Sequence, residues 1–407
     1  MEAILTRSQE AAAKANAWNE YFIAEKQNYV RREEVMYNIM YFDEATKSHT
    51  YQEKNAVAMR YSSTIKGKPG INGFPLYIAL HGGGQTLMNE QQYEHMKTRY
   101  LDSIENGIYV ACRGIRETYN THFNPESYPL YDRLIQNMIL FHNVDPNRVY
   151  LMGFSAGGDG VYGITPLMAD RFAAVNMSAG HHNGISAVNY MNTPILLQCG
   201  DDDTAYDRHL ETARYGERLK DLQQEWPKGY VHKVYIHVKK QHAINERDQT
   251  RSRQLIWQNS GDWLTGNETK IVPENTNAID FLCEYTRKPI PKTIAWNLST
   301  RAPLRLTDSF YWLKVDTAMA SGCIYASLDT GNNTVTIDTK GISKGCVQVM
   351  LNWDMIDFDK PVTFVVNGNS RQEKITPSID VIEATTKERG DVNFQFSAIA
   401  KVGLSSQ

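Results

Sequence analysis

A serine stands between two glycines at the centre of the segment Gly153-Phe154-Ser155-Ala156-Gly157. The apolar run at 148–154 is typical of a buried strand, and residues 161–169 have the composition of a helix. Gly-x-Ser-x-Gly between a strand and a helix is typical of a nucleophile elbow, a sharp turn that projects a serine hydroxyl above the strand ends. Glycines on either side permit the close backbone approach that this turn needs. We therefore expect Ser155 to be a nucleophile for acyl transfer.

A serine nucleophile needs a base to take its proton and an acid to orient that base. Downstream, an apolar run ends in Gly200-Asp201-Asp202-Asp203, and a later strand-like run, 230–239, precedes His242. We predict that His242 is the base. The candidate acid is Asp203, with Asp202 as the second choice.

The tetrahedral intermediate of acyl transfer carries a negative oxygen that backbone N–H groups can bind. The strand-like run 74–80 is followed at once by His81-Gly82-Gly83-Gly84. Glycines expose their N–H groups and permit unusual dihedral angles. The predicted donors of this oxyanion hole are the N–H of Gly83, with Gly84 second, and the N–H of Ala156.

Nothing in the sequence points to a metal or a cofactor. The histidines lack the H-E-x-x-H spacing, and no Cys-x-x-Cys pair occurs. The expected chemistry therefore uses protein groups alone: Ser155 attacks a carbonyl carbon, His242 transfers the proton, and water releases the acyl group. We expect no metal and no cofactor.

The composition is that of a globular protein, with 407 residues, 42% hydrophobic and 22% charged. A net charge of −3 gives no reason to expect nucleic acid or an anionic membrane as a partner. No run is long and apolar enough to span a bilayer, and the N-terminus lacks the apolar segment of a signal peptide. The five cysteines are odd in number and scattered. These features favour a cytoplasmic location, with a small-molecule substrate as partner and no indication of the oligomeric state.

Changes in composition and residue pattern along the chain predict four regions. Residues 1–55 are helical in composition and are expected to pack on the main domain. Residues 56–290 alternate strand-like and helical stretches, which predicts a mostly parallel central sheet covered on both faces. A proline-rich linker, 291–306, precedes 307–407, where short β-rich runs separated by turns predict a small, sandwich-like all-β module.

Taken together, the elbow, glycine loop, acid and histidine resemble the α/β-hydrolase superfamily over residues 56–290, in the chain order serine, aspartate, histidine. Within that superfamily, residues 56–290 are similar to esterases near dienelactone hydrolase and polyhydroxybutyrate depolymerases. The segments Gly153–Tyr162, Ala169–Ala174 and Asp203–Arg208 are similar to a bacterial branch of α/β-hydrolases that has a β-rich tail. This resemblance implies an α/β-hydrolase fold and serine-dependent cleavage of carboxylic esters. An aromatic residue usual after the histidine is replaced here by Ala243.

Five residues are candidates for contact with substrate. His181 and His182 follow one strand on the catalytic edge, Asn120 and His122 follow another, and Trp257 lies in an insertion after His242 that could form a partial lid. Structural histidines, a solvated loop and a surface loop packed by its own aromatics are the alternative interpretations. Only about 14 residues separate the strand near Ser178 from Pro194, too few for a large cap. An open cleft favours short-chain or small soluble esters.

Two other functions remain open at this point. The same residues could cleave amides, as in peptidases of the prolyl-oligopeptidase type, although the N-terminal region is too short for the propeller that those enzymes carry. Alternatively, the chain could be a non-catalytic binding protein on a hydrolase scaffold. The intact serine, histidine, aspartate and glycine loop favour a serine esterase.

Overall fold

The computed structural model of the chain describes residues 5–51, 55–244, 252–255, 269–272, 277–300, 308–316 and 319–405. They form two compact units, one made of 33–287 and the other of 1–32 together with 288–407. The helices of the described residues are α1 (Arg7–Gln27), α2 (Tyr29–Tyr37), α3 (Thr86–Arg99), α4 (Ser127–His142), α5 (Ala156–Met168), α6 (Arg208–Glu225), α7 (Ala278–Cys283) and α8 (Ile379–Arg389).

The strands of the larger unit form one sheet. They are β1 (Ile39–Asp43), β2 (Ser48–Thr50), β3 (Val57–Lys66), β4 (Phe74–Leu80), β5 (Gly107–Cys112), β6 (Val144–Phe154), β7 (Ala174–Ser178), β8 (Ile195–Gly200), β9 (His232–His237), β10 (Ser252–Leu255) and β11 (Thr269–Val272). Their spatial order is β11-β10-β9-β8-β7-β6-β4-β5-β3-β1-β2. The six strands from β9 to β5 in that order are parallel to one another, and antiparallel strands extend the sheet on both sides.

The central strands form here because their sequences are almost continuously apolar. Every residue of β4, β5, β7 and β8 is buried, as expected of parallel strands covered on both faces. The helices α3, α4, α5 and α6 connect successive strands of this part of the sheet. The mostly parallel sheet predicted from the sequence is therefore confirmed.

The sheet has a point where its winding reverses. β5 lies on one side of β4, whereas β6, the next strand in the chain, lies on the other side. Loops that leave the carboxyl ends of such neighbouring strands diverge and open a crevice, which is where ligands bind in open α/β sheets. The glycine loop follows β4 and Ser155 follows β6, so both lie at this point.

The smaller unit contains two further sheets. Their strands are β12 (Thr293–Asn297), β13 (Ser309–Phe310), β14 (Leu313–Val315), β15 (Cys323–Asp329), β16 (Thr334–Lys340), β17 (Lys344–Leu351), β18 (Val362–Val366), β19 (Asn369–Glu373) and β20 (Ala398–Ser405). One sheet has the order β12-β15-β16-β18-β19 and the other β13-β14-β17-β20. Burial alternates along β15, and Trp296 of the first sheet stacks on Phe310 of the second at 5.3 Å between ring centroids. A separate β-rich module is thus present, as predicted.

Two predicted boundaries differ from the observed grouping. Helical structure at the N-terminus ends at Tyr37, and α1 packs on α8 of the smaller unit, where Ala13 and Ala17 contact Ile382. Residues 1–32 group with 288–407 and residues 33–55 group with the larger unit, so the observed grouping divides the predicted region 1–55. The predicted linker 291–306 contains β12, which pairs with β15. Among the described residues, no helix is long and apolar enough to cross a membrane.

Candidate active site

Ser155 occupies the turn between β6 and α5 in a strained conformation. Its φ of 58° and ψ of −121° are unusual for a residue with a β-carbon. Two backbone hydrogen bonds hold it there: its N–H donates to the carbonyl of Ser178 at 2.9 Å, and its carbonyl accepts from the N–H of Asp159 at 3.0 Å. The turn therefore fixes the direction of the serine side chain through main-chain contacts.

The glycines around the serine are required by close backbone contacts. A β-carbon on Gly153 would lie 2.1 Å from the carbonyl oxygen of Gly157, and one on Gly157 would lie 2.1 Å from that of Leu80. Both distances are far inside van der Waals contact. The Gly-x-Ser-x-Gly pattern thus reflects the tight passage of the start of α5 across the ends of β6 and β4.

Ser155, His242 and Asp203 are joined by two hydrogen bonds. The Nε2 of His242 lies 2.8 Å from the Oγ of Ser155, and its Nδ1 lies 2.8 Å from the Oδ2 of Asp203. The imidazole is partly exposed, whereas the carboxylate is buried. Because a carboxylate can only accept, Nδ1 carries a proton and Nε2 is free to accept the serine hydroxyl proton. Asp202, the second choice for the acid, is exposed, and the structure brings Asp203 to the histidine instead.

A second layer of contacts holds the aspartate. The guanidinium of Arg208 lies 3.6 Å from the Oδ1 of Asp203, and the thiol of Cys199 lies 3.7 Å from Oδ2. The N–H of His209 donates to the main-chain carbonyl of Asp203. A buried carboxylate needs such partners because its charge is otherwise poorly solvated.

The ring of Phe154 packs against the imidazole of His242, and Arg99 in turn contacts Phe154. The ring of Phe154 lies 5.4 Å from the His242 ring, and the guanidinium carbon of Arg99 lies 4.0 Å from the Phe154 ring. Arg99 also donates to the carbonyl of Ile244 at 2.9 Å, which anchors the chain just after His242. Charge–aromatic contacts of this kind restrict the position of the ring.

The loop after β4 presents glycines beside the serine. A β-carbon on Gly82 would lie 3.1 Å from the Cβ of Ser155, so the loop and the elbow are in contact. Gly83 has a φ of +127°, and a β-carbon there would lie 2.3 Å from the Oδ1 of Asn89. Only glycine is compatible with that conformation and space. Ala156 is the first residue of α5, and its N–H has no intrahelical acceptor.

The ring of His81 holds the glycine loop after β4 through hydrogen bonds. The N–H of Gly114 donates to its Nε2 at 3.0 Å, so the ring proton is on Nδ1, which lies 2.6 Å from the carbonyl oxygen of Gly82. Burial, as the largest cause, lowers the pKa of His81 to about 4. The neutral ring therefore links the ends of β4 and β5.

Three features decide the fold. The winding of the parallel sheet reverses at β4, a strained serine turn follows β6, and an acid and a histidine follow β8 and β9. This is the α/β-hydrolase fold. In this structure, residues 179–194 between β7 and β8 form a short connection with no inserted cap.

No family model and no curated protein matches the chain. Solved structures that resemble it include a thermostable esterase, at 19% identity and a TM-score of 0.39, covering 61% of this chain and 63% of that one. Another is the poly(3-hydroxybutyrate) depolymerase LpqC from Bordetella parapertussis, at 16% identity and a TM-score of 0.38, covering 47% and 81%. An S-formylglutathione hydrolase from Agrobacterium tumefaciens has 14% identity and a TM-score of 0.35, covering 47% and 86%. The fold assignment rests on the sheet order and the serine turn.

The residues predicted to contact substrate fall in different places. His181 is half-buried, and its N–H donates to Asp159 at 2.7 Å. His182 is buried, with Nε2 2.6 Å from Glu211 and Nδ1 accepting from the N–H of Gly184. Both ring nitrogens of His182 are therefore engaged by the protein, which corresponds to a structural histidine.

The two candidates on the loop after β5 also differ from each other. Asn120 is exposed and bonded to Thr118 and Asn124 within its own loop. His122 was expected at the rim with it, but its side chain is fully buried behind the glycine loop. The reason is that Gly160 leaves room for it, since a β-carbon there would lie 2.9 Å from the Cβ of His122. Trp257 lies outside the described residues.

Several neighbours of the site were not identified from the sequence. Arg208 lies beside the acid and closes the segment Asp203–Arg208, but its contact with Asp203 was not predicted. Arg99 anchors the chain after the histidine and belongs to no recognised motif. Tyr119 lies over Gly84, where a β-carbon would be 2.4 Å from its ring, yet 66% of its surface remains exposed. Tyr206 is 74% exposed at a φ of 57°. Each tyrosine follows the end of a parallel strand in the sequence, and that position is the signal that could have indicated Tyr119 and Tyr206.

Proposed function

We propose that this protein is a serine hydrolase that cleaves carboxylic esters through an acyl-enzyme on Ser155. The observation that carries the proposal is the continuous hydrogen-bonded connection from the hydroxyl of Ser155 through the imidazole of His242 to the buried carboxylate of Asp203, with 2.8 Å at each step. A nucleophile, a base and an orienting acid in this geometry form a catalytic triad.

In the proposed mechanism, Nε2 of His242 takes the hydroxyl proton while Oγ of Ser155 attacks the ester carbonyl carbon. Asp203 keeps the other ring nitrogen protonated and stabilises the imidazolium that forms. The N–H groups of Gly83 and Ala156, with Gly84 as a further donor, bind the oxyanion. The imidazolium then protonates the departing alcohol, and water attacks the acyl-enzyme by the same route.

The expected substrates are short-chain or small soluble esters. The connection between β7 and β8 carries no cap, and a cap is one element that can enclose a long acyl chain. Gly82 lies against the serine itself, which leaves the approach to Oγ unobstructed by a side chain from the glycine loop.

The test is hydrolysis of p-nitrophenyl acetate, butyrate and octanoate by the wild type and by Ser155→Ala. We expect activity that falls with chain length in the wild type, and a loss of about 10⁴-fold or more in kcat for the variant. Ser63→Ala, on β3 away from the site, is the matched control and should retain full activity. Labelling by a fluorophosphonate should require Ser155.

Other outcomes would favour a different function. Fluorophosphonate labelling at Ser155 without hydrolysis of any ester would favour an amide substrate of the peptidase type. No labelling and no hydrolysis in folded protein would contradict the proposal and favour a binding protein on a hydrolase scaffold.

A further inference from the structure

His122 is a buried histidine that the proposed reaction does not use. It follows β5 by ten residues, its side chain has no solvent-accessible surface, and its ring lies 4.5 Å from the ring of His81 in an edge-to-face arrangement. Its Nε2 lies 2.9 Å from the main-chain carbonyl oxygen of His81, and its Nδ1 lies 3.1 Å from the hydroxyl of Tyr131 on α4.

The partners of His122 determine its tautomer. The carbonyl oxygen of His81 can only accept, so Nε2 of His122 carries the proton and donates it. Burial lowers the pKa of the His122 imidazole well below its usual value, and burial raises that of the Tyr131 phenol, so both groups are neutral. Nδ1 is then the acceptor for the Tyr131 hydroxyl. The result is a chain of donors from Tyr131 through His122 to the backbone of the glycine loop.

The bonds from the two histidines fall on consecutive peptide groups. His122 holds the carbonyl of the peptide that joins His81 to Gly82, and the ring of His81 holds the carbonyl of the peptide that joins Gly82 to Gly83. A peptide group is planar and trans, so its C=O and N–H point in opposite directions. Fixing the second carbonyl therefore fixes the direction of the Gly83 N–H, and fixing the first prevents the preceding plane from turning.

We propose that His122 is a positioning residue that aims the oxyanion-binding N–H of Gly83 by locking the backbone of the glycine loop at His81. The proposal rests on the proposed esterase function for its catalytic consequence, but the locking of the loop does not depend on it. The two neutral rings link the loop after β4, the loop after β5 and helix α4 without placing a charge beneath the developing oxyanion.

The test compares two substitutions at one position. His122→Phe keeps a planar ring but removes both hydrogen bonds, whereas His122→Gln retains an amide N–H that can reach the His81 carbonyl. We expect His122→Phe to lower kcat for p-nitrophenyl acetate roughly 10- to 100-fold, with KM within about twofold of the wild type. The reason is that a misdirected donor stabilises the transition state less but leaves substrate binding unchanged. His122→Gln should recover most of that loss.

A second readout is independent of activity. Hydrogen exchange of the peptide that contains residues 81–84 should be faster in His122→Phe and close to the wild type in His122→Gln. His232→Phe is the matched control, because His232 is a partly buried histidine at the start of β9, and it should change neither kcat nor exchange in this peptide.

The outcomes separate this inference from the proposed function. If the wild type hydrolyses esters but His122→Phe matches the His232→Phe control in kcat and in exchange, His122 does not position the loop and the inference is overturned. If the wild type hydrolyses no ester, the proposed function fails, and the exchange of residues 81–84 still decides whether His122 locks the loop.

Discussion

Residue types at the site were predictable wherever the chemistry restricts them. A serine in a tight turn, a later carboxylate and a later histidine supply the nucleophile, acid and base of acyl transfer. The structure places His242 within hydrogen-bond distance of both Ser155 and Asp203. His122 shows the opposite case. Its place in the chain, shortly after a strand end, indicated the rim, but burial depends on what the rest of the fold leaves open, here the space beside Gly160.

Asp159, in the first turn of α5, gives a prediction about pH at the scale of a single residue. Burial raises the pKa of its carboxyl to about 6, although the N–H of His181 donates to it and Arg208 lies near. In the unfolded chain this pKa is about 3.9. The folded state therefore binds more protons between about pH 4 and 6, so the free energy of unfolding falls as pH rises through that window and then levels off.

Asp159→Asn removes the titrating group and keeps the oxygen that accepts from His181. We expect the stability of the variant relative to the wild type to increase by about 2 kcal/mol between pH 4 and pH 8, measured by urea unfolding at a series of pH values. Asp221→Asn, at an exposed position of α6, should show no such trend. A difference between Asp159→Asn and the wild type that does not vary with pH would refute the assigned cause.

At the scale of elements, the site depends on how closely α5 crosses the sheet. Gly157 meets the carbonyl of Leu80 on β4, and Gly158 meets the carbonyl of Ser178 on β7, where a β-carbon would be 2.7 Å away. Both contacts are with backbone atoms, which cannot rotate away as a side chain would. The start of α5, and with it the N–H of Ala156, is placed by these contacts.

We predict that Gly157→Ala destabilises the protein by about 3 kcal/mol or more, because its β-carbon would overlap the Leu80 carbonyl and force α5 off the sheet. The measurement is the urea midpoint, with esterase activity expected to fall even in the fraction that remains folded. Gly403→Ala on β20 is the control, since a β-carbon there has no neighbour within 4 Å. Equal effects of the two substitutions would show that α5 does not depend on this close approach.

The strands of the parallel sheet were predicted close to their observed limits, whereas the strand β12 of the smaller unit was not predicted. A strand buried on both faces is an apolar run that stands out from its surroundings, as at 74–80 against the observed Phe74–Leu80. The strand β12 gave no such signal, because only Ile294, Ala295 and Trp296 are buried and prolines stand just before them. It is a strand because it pairs with β15, about 30 residues further along, and pairing between distant segments has no local pattern.

At the scale of the whole molecule, the two ends of the chain meet in one unit. The indole of Trp353 donates to the carbonyl of Leu5 at 2.7 Å, and the carboxylate of Glu10 accepts from the N–H of Trp353. The amide of Gln395 donates to the carbonyl of Lys14 at 2.9 Å. The sequence could not predict this arrangement, because α1 has helical composition whichever unit it packs on.

The face of α1 that carries Ala13 and Ala17 contacts Ile382 of α8, and these two alanines are four residues apart on one side of the helix. We predict that Ala17→Glu destabilises the unit formed by 1–32 and 288–407 by about 2–4 kcal/mol, because a carboxylate would be buried there without a partner. Ala12→Glu, at an exposed position of the same helix, is the control for helix propensity and net charge.

Hydrogen exchange resolved by peptide is the measurement, since it reports the opening of each unit separately. In Ala17→Glu, exchange should accelerate across β15–β17 and α8, while β6 and β7, in the core of the unit that carries Ser155, should exchange as in the wild type and in Ala12→Glu. Equal acceleration in both units would mean that they unfold together and that the grouping of the chain ends has no separate stability. Retained protection of β6 and β7, with hydrolysis of p-nitrophenyl acetate unchanged, would instead show that the fold around Ser155 does not need α1 docked on α8.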